Sequence, residues 1–101
     1  MADRPGAVVC ASDDCAFGFI SHCARIGFTV PRDVSVVGFD DVDFARCFLP
    51  PLTTIHQPRA RIGRIGAERL VAALTAGTPL EQGSDLIPAH LVIRATTAVA
   101  R

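Results

Sequence analysis

The sequence predicts an α/β fold centred on a parallel strand–helix–strand unit, followed by a second helix and an edge strand. Three observations carry that prediction. Two continuous apolar runs, Ala7-Val8-Val9-Cys10-Ala11 and Val34-Ser35-Val36-Val37-Gly38-Phe39, have the pattern of strands covered on both faces. The stretch between them repeats apolar residues at three- and four-residue spacing, as an amphipathic helix does. Short loops join the pieces, and a strand, helix and strand so joined form a βαβ unit with parallel strands and a right-handed crossover. The 101 residues, half of them apolar, suffice for one small core and not for two.

Each element has local reasons. Ser12-Asp13-Asp14 are helix-starting types whose acids suit the positive end of a helix, and Asp13 reads as a cap. The first helix is predicted over 14–27, with Ala16, Phe19, Ile20, Cys23 and Ile26 on one stripe and Gly27 as a left-handed stop. Pro31-Arg32-Asp33 is a loop, and the second strand ends at Asp40-Asp41. Residues 42–51 are irregular and close on Pro50-Pro51; residues 52–56 read as strand. Pro58 suits the first turn of a helix running to about Ala76, where Gly77 and Pro79 stop it. Ile62, Ile65, Gly66, Leu70, Ala73 and Leu74 form its expected buried side, and Arg59, Arg61, Arg64, Glu68 and Arg69 its solvated side. Leu86-Ile87 and Leu91-Val92-Ile93 read as a strand interrupted at Pro88, which places it at a sheet edge.

Composition excludes several function classes. Ten basic and ten acidic residues balance, and every basic residue is arginine. Chemistry that needs a Schiff-base, P-loop or receiver-type lysine is therefore absent. With no basic run, this segment is not expected to grip nucleic acid through phosphates. No apolar stretch approaches a membrane span, and Met1-Ala2-Asp3-Arg4-Pro5 is no signal peptide, so a cytoplasmic location with reduced thiols is expected. Cys10, Cys15, Cys23 and Cys47 lack the C-x-x-C spacing of metal or redox sites; Cys10 and Cys23 read as small buried hydrophobes. His22, His56 and His90 are scattered, and no strained nucleophile turn marks a hydrolytic triad. No metal, no cofactor and no catalytic residue is expected.

The chemistry-bearing residues gather at one edge. Parallel strands end on the same side of their sheet, so Ser12 follows one carboxyl end and Asp40 and Asp41 another, where open α/β sheets bind ligands. A carboxylate there accepts two hydrogen bonds from a polyol or from ring N–H groups; Ser12 adds a hydroxyl and Phe39 an apolar ring. The alternative is that Asp40 and Asp41 only cap a turn. Asp41-Val42-Asp43 also resembles the Asp-x-Asp of haloacid-dehalogenase-type phosphotransferases, which would make the segment a magnesium-dependent phosphotransferase-like domain. That family uses a downstream lysine, and Ala45 stands where a hydroxyl would hold phosphate.

Four segments, in order and with matching gaps, carry a broader resemblance. Val9-Cys10-Ala11-Ser12-Asp13-Asp14-Cys15-Ala16-Phe17-Gly18 resembles the CANDxxAxG segment of LacI/GalR-family transcriptional regulators. Val34 to Asp41 resembles their VSVVGFDD, Pro50 to Pro58 their PPLTTIxQP, and Leu91 to Thr97 their LVxRxST. The match covers residues 5–97.

The resemblance implies a partial periplasmic-binding-protein-like (type I) fold: the C-terminal portion, over 1–101, of a sensor in which two α/β lobes close on a small effector. The first lobe and the helix-turn-helix are absent from this chain, so DNA binding would need the absent motif, and Met1 looks like an internal start or boundary. By resemblance, Asp40 is the aspartate that hydrogen-bonds a sugar or purine-like effector. Gln57 is a glutamine near the cleft where the chain crosses lobes. Ser12 stands where asparagine is common and offers a shorter contact. Phe17 and Phe48 fall at positions that pack in a homodimer interface. With no tryptophan or tyrosine, stacking on a ligand falls to a phenylalanine such as Phe39 or to the missing lobe. The helix at 58–76 would lack its family neighbours, and its apolar stripe would fold back on 7–41 or pair with a second chain. A periplasmic sugar-binding transport protein and an association module without ligand are the other readings of the same fold.

Overall fold

The computed structural model describes residues 3–80 and 82–100. The elements run β1 (Ala7–Val9), α1 (Asp13–Arg25), β2 (Ser35–Asp40), a 3₁₀ turn (Asp43–Arg46), β3 (Thr53–His56), α2 (Arg59–Ala76) and β4 (His90–Val92). The sheet has order β1-β2-β3-β4. β1, β2 and β3 are parallel and β4 returns antiparallel to β3. The predicted α/β class, the βαβ unit and the edge position of the last strand all stand. The chain divides into one unit of Met1–Gln57 with His90–Arg101, and a second of Pro58–Ala89.

In the first unit α1 lies on β2 because its stripe matches the sheet's apolar face. Ala16, Ile20 and Cys23 of α1 meet Cys10, Val30, Val34, Val36, Ala45 and Leu52, all buried. Val36 and Leu52 have no exposed surface. Burying each such side chain contributes about 1.5–3 kcal/mol. Ser12 caps α1, its Oγ accepting from Cys15 N at 3.1 Å, and Gly27 takes the left-handed φ of 85° that stops it.

A tail after β4 stitches the amino ends of the strands. Thr96 is fully buried: its Oγ1 donates to Val36 O at 2.7 Å and accepts from Thr53 N at 2.9 Å, and Val36 N donates to Thr96 O at 2.8 Å. Ala95 N donates to Pro51 O at 2.9 Å, and Arg94 N to Thr53 Oγ1 at 2.9 Å. Backbone groups that no strand partner reaches are thereby satisfied.

Several expectations are corrected. β1 is not covered on both faces: it lies at the sheet edge, and Val9 is 76% exposed. Ile26 is also exposed, because it sits past the last turn of α1. Asp13 is no cap; Ser12 is, and Asp13 is fully buried in the first turn. Residues 42–51 contain a 3₁₀ turn. Leu86-Ile87 form no strand, and Leu86 is 97% exposed.

In the second unit, α2 starts after Pro58, which takes the cap position rather than the first turn, and ends at Gly77 with φ 67°. Arg64 and Glu68 pair at 3.8 Å on the expected charged face, whereas Arg69, expected on that face, meets Asp85 at 2.6 Å in the groove that Ile62, Ile65 and Ala73 also line. None of its residues is buried; the stripe expected to be its core side is open, with Leu70 at 50% and Leu74 at 72% exposed. Ile62, Ile65, Gly66 and Ala73 of that stripe, without Leu70 and Leu74, line a groove of about 760 Å³ with Leu80, Asp85 and Ile87 of the following segment.

Candidate functional site

The site is built where β1, β2 and β3 end, because parallel strands deliver their following residues to one edge. Ser12 and Asp13 follow β1, Asp40 closes β2 with Asp41 after it, and Gln57 follows β3.

The strand β2 ends in a backbone that L-residues rarely adopt. Asp40 has φ 124° and Asp41 φ 60°. Such conformations cost about 1–3 kcal/mol each and persist where surroundings over-determine them. Here the surroundings are explicit. Asp41 Oδ1 accepts from Arg94 at 2.8 Å, and Asp41 Oδ2 lies 2.8 Å from His56 Nδ1. A second nitrogen of Arg94 donates to Leu52 O at 2.9 Å, so the guanidinium is itself held. Burial pushes the Asp41 carboxyl up, but the hydrogen bonds and charges of Arg94 and His56 outweigh it and leave the group below the ordinary carboxylate range. Asp41 is thus an ionised anchor.

Beneath it, Asp13 is a second anchor. Its Oδ2 accepts from Val42 N at 2.8 Å and its Oδ1 from the Thr54 hydroxyl at 2.5 Å. One buried carboxylate therefore ties the start of α1, the segment after β2 and the strand β3. Gly38 makes room for it: a Cβ there would fall on Asp13 Oδ1 and 2.9 Å from Leu52 Cδ2.

On this frame Asp40 Oδ1 accepts from Gln57 Nε2 at 2.6 Å. The structure therefore brings two expected ligand residues into direct contact. Phe39 is opposite Ile55 in the register and 37% exposed. The Ser12 hydroxyl is engaged as an acceptor by Cys15 N, leaving its hydrogen to donate. The arrangement can accept and donate hydrogen bonds to a polar neutral molecule. For the phosphotransferase alternative, both oxygens of Asp41 are committed to Arg94 and His56, and Asp43 is exposed in the 3₁₀ turn. Among the described residues no group of three His, Cys, Asp or Glu could hold a metal ion.

Two constellations escaped the sequence reading. His56 and His90 are not scattered: they face each other in the β3–β4 register, their ring centroids 5.0 Å apart. Arg94, inside the LVxRxST match, is the partner of Asp41 across 53 positions. No local pattern links such distant residues. Phe17 and Phe48, read as interface residues, lie 4.6 Å apart by ring centroid, and Phe44 meets them at 5.2 Å and 5.7 Å. Phe44 and the nearby Leu49 are 54% and 88% exposed.

The chain's likenesses agree with this frame. Residues 1–97 match the periplasmic binding protein-like domain family. The chain is 46% identical over 94 residues to the HTH-type transcriptional repressor PurR of Vibrio vulnificus, covering 93% of this chain and 28% of that protein. It is 44% identical over 97 residues to the repressor CytR of Escherichia coli K12, covering 96% and 28%. Among solved structures, the lac repressor dimer bound to operator and the anti-inducer ONPF superposes with a TM-score of 0.84 at 38% identity, over 94% of this chain and 32% of that one. A regulator from Enterococcus faecalis with bound ribose superposes at 0.86 and 32% identity, over 94% and 35%. The chain spans about a third or less of the length of these relatives.

Proposed function

This chain belongs to the periplasmic binding protein-like domain family and is a homologue of LacI-type transcriptional repressors, and from that premise we propose that it is the effector-sensing and dimerising part of a cytoplasmic LacI-type regulator. The effector is a sugar or a purine-like base. Asp40 accepts its donors, Gln57 and Ser12 complete the polar contacts, and Phe39 offers the apolar side. No chemical step, metal or cofactor is involved. DNA is reached through a helix-turn-helix outside this chain.

One observation carries the reading: a carboxylate on a left-handed backbone, locked from behind by Arg94 and His56 through Asp41 and aimed at the Gln57 amide. Such strain is kept where a side chain must be aimed. The Gln57 amide occupies the acceptor that an effector donor would take, so binding exchanges one hydrogen bond for another and selects ligands with an N–H or O–H in that position. Differential affinity for two states of the intact sensor would then bias the DNA-binding form. Phe17 and Phe48, with Phe44, form the self-association face.

Titration calorimetry of the intact regulator against a panel of pentoses, hexoses and purine bases tests this. One saturable ligand is expected, with affinity falling at least about tenfold in Asp40→Asn, the ~1.4 kcal/mol of one lost charged hydrogen bond. A ligand whose affinity is unchanged in Asp40→Asn would remove Asp40 from the site.

A further inference from the structure

His56 and His90 stand side by side on two neighbouring strands, and the effector reading gives neither a contact with the ligand. They are direct partners in the antiparallel β3–β4 register. Residues directly opposite in such a pair share one face of the sheet, with Cβ atoms about 4.5–5.5 Å apart. The two rings meet at a centroid separation of 5.0 Å, with 40° between their planes. The His56 side chain is 36% exposed and His90 is exposed, so solvent reaches both. Both belong to the first unit of the chain.

One of the two rings is already oriented. His56 Nδ1 lies 2.8 Å from Asp41 Oδ2, while Asp41 Oδ1 accepts from Arg94 at 2.8 Å. A carboxylate paired in this way only accepts, so Nδ1 carries the hydrogen, and in the neutral ring the lone pair stands on Nε2. A carboxylate behind an imidazole is the arrangement that fixes ring and tautomer in metal-ligating histidines. Arg94 also donates to Leu52 O at 2.9 Å, so the guanidinium that steadies Asp41 is itself held. His90, at the exposed start of β4, has room to turn its ring toward the same point.

We propose that His56 and His90 form a two-histidine site for a divalent ion of the zinc class, which bridges β3 and β4. The spacing fits. An ion about 2.1 Å from one nitrogen of each ring, at an angle between square and tetrahedral, puts the ring centroids about 4.5–5.2 Å apart. Imidazole nitrogens suit zinc, copper and nickel, and not calcium or magnesium. Among the described residues no third His, Cys, Asp or Glu joins the pair, so water fills the remaining positions and the ion exchanges readily. The effector contacts do not depend on it. A loaded site ties the start of β4 to the end of β3, and β4 leads into the tail that carries Arg94 and Thr96.

The test titrates the 101-residue chain with zinc chloride at about pH 7.5, where an ordinary imidazole is neutral. The exposed thiols Cys15 and Cys47 are first replaced by serine, so that they do not compete. Calorimetry should show one ion per chain, with affinity falling at least about tenfold in His90→Ala. Ring nitrogen resonances of His56 and His90 should move on adding zinc, while those of His22, on α1, stay in place. His56→Ala should also lose the ion; because it removes a partner of Asp41, the exposed His90→Ala carries the decision if His56→Ala does not fold. Zinc affinity unchanged in His90→Ala, His22 shifting with the other two, or one ion shared by two chains would overturn the assignment. The outcome is independent of whether any effector binds.

Discussion

Asp41 accepts from Arg94 and His56 at once, and the two bonds act on a residue whose φ is 60°. Its carboxyl is held below the ordinary range, so it binds fewer protons when folded than when unfolded. The stability it contributes is therefore complete above the unfolded value of about 4 and lost as pH falls through the lower folded value. Thermal melts should decline below about pH 4, and Asp41→Asn should flatten that decline while lowering Tm at pH 7. An acid limb identical in both proteins would count against Asp41 as the anchor. Asp13 predicts a second effect. Asp13→Ala strands the Val42 N–H and the Thr54 hydroxyl, which should cost on the order of 1–3 kcal/mol in a urea melt. Gly38→Ala should cost a similar amount, about 1–3 kcal/mol, because the new Cβ overpacks against Asp13 and Leu52.

The tail after β4 behaves as an element although it has no regular structure. Thr96 alone answers Thr53 N and Val36 O, both inside the core region. Thr96→Val keeps the shape and removes both bonds, so a denaturant midpoint lower by the equivalent of about 1–3 kcal/mol is expected, with Thr96→Ser close to wild type. Equal stability of Thr96→Val and wild type would show that the tail only rests on the sheet. β1 and α2 teach the opposite lesson. Both have the apolar pattern of covered elements, and Val9 and Leu74 are nonetheless exposed. An apolar pattern states which face wants cover, and not what supplies it.

At the scale of the molecule, two units share one chain, and among the described residues the buried core lies in the first. Limited proteolysis should therefore cut within 77–89, where Leu80 and Leu86 are exposed, before it cuts residues 7–57. Light scattering should report self-association through the Phe17, Phe44 and Phe48 face, with Phe48→Asp reducing the mass to that of a monomer while the far-ultraviolet spectrum stays the same. A wild-type monomer at all concentrations would mean that the aromatic cluster is satisfied by its own internal contacts.

Local pattern was enough for the βαβ unit, both helices, the edge position of the last strand and the clustering of Ser12, Asp40 and Asp41 at one carboxyl edge; Gln57 was named only through the family resemblance. These follow from periodicity, caps and the parallel rule, each of which acts over a few residues. Folding alone decided what lies far apart in sequence. It made Asp13 a buried brace instead of a cap, because Val42 and Thr54 converge on it. It gave Asp41 to Arg94, paired His56 with His90, and seated Gln57 on Asp40. The physical reason is range: helix and strand signals are written in neighbouring side chains, whereas a buried carboxylate's partners are chosen by the sheet that brings distant segments within hydrogen-bonding distance.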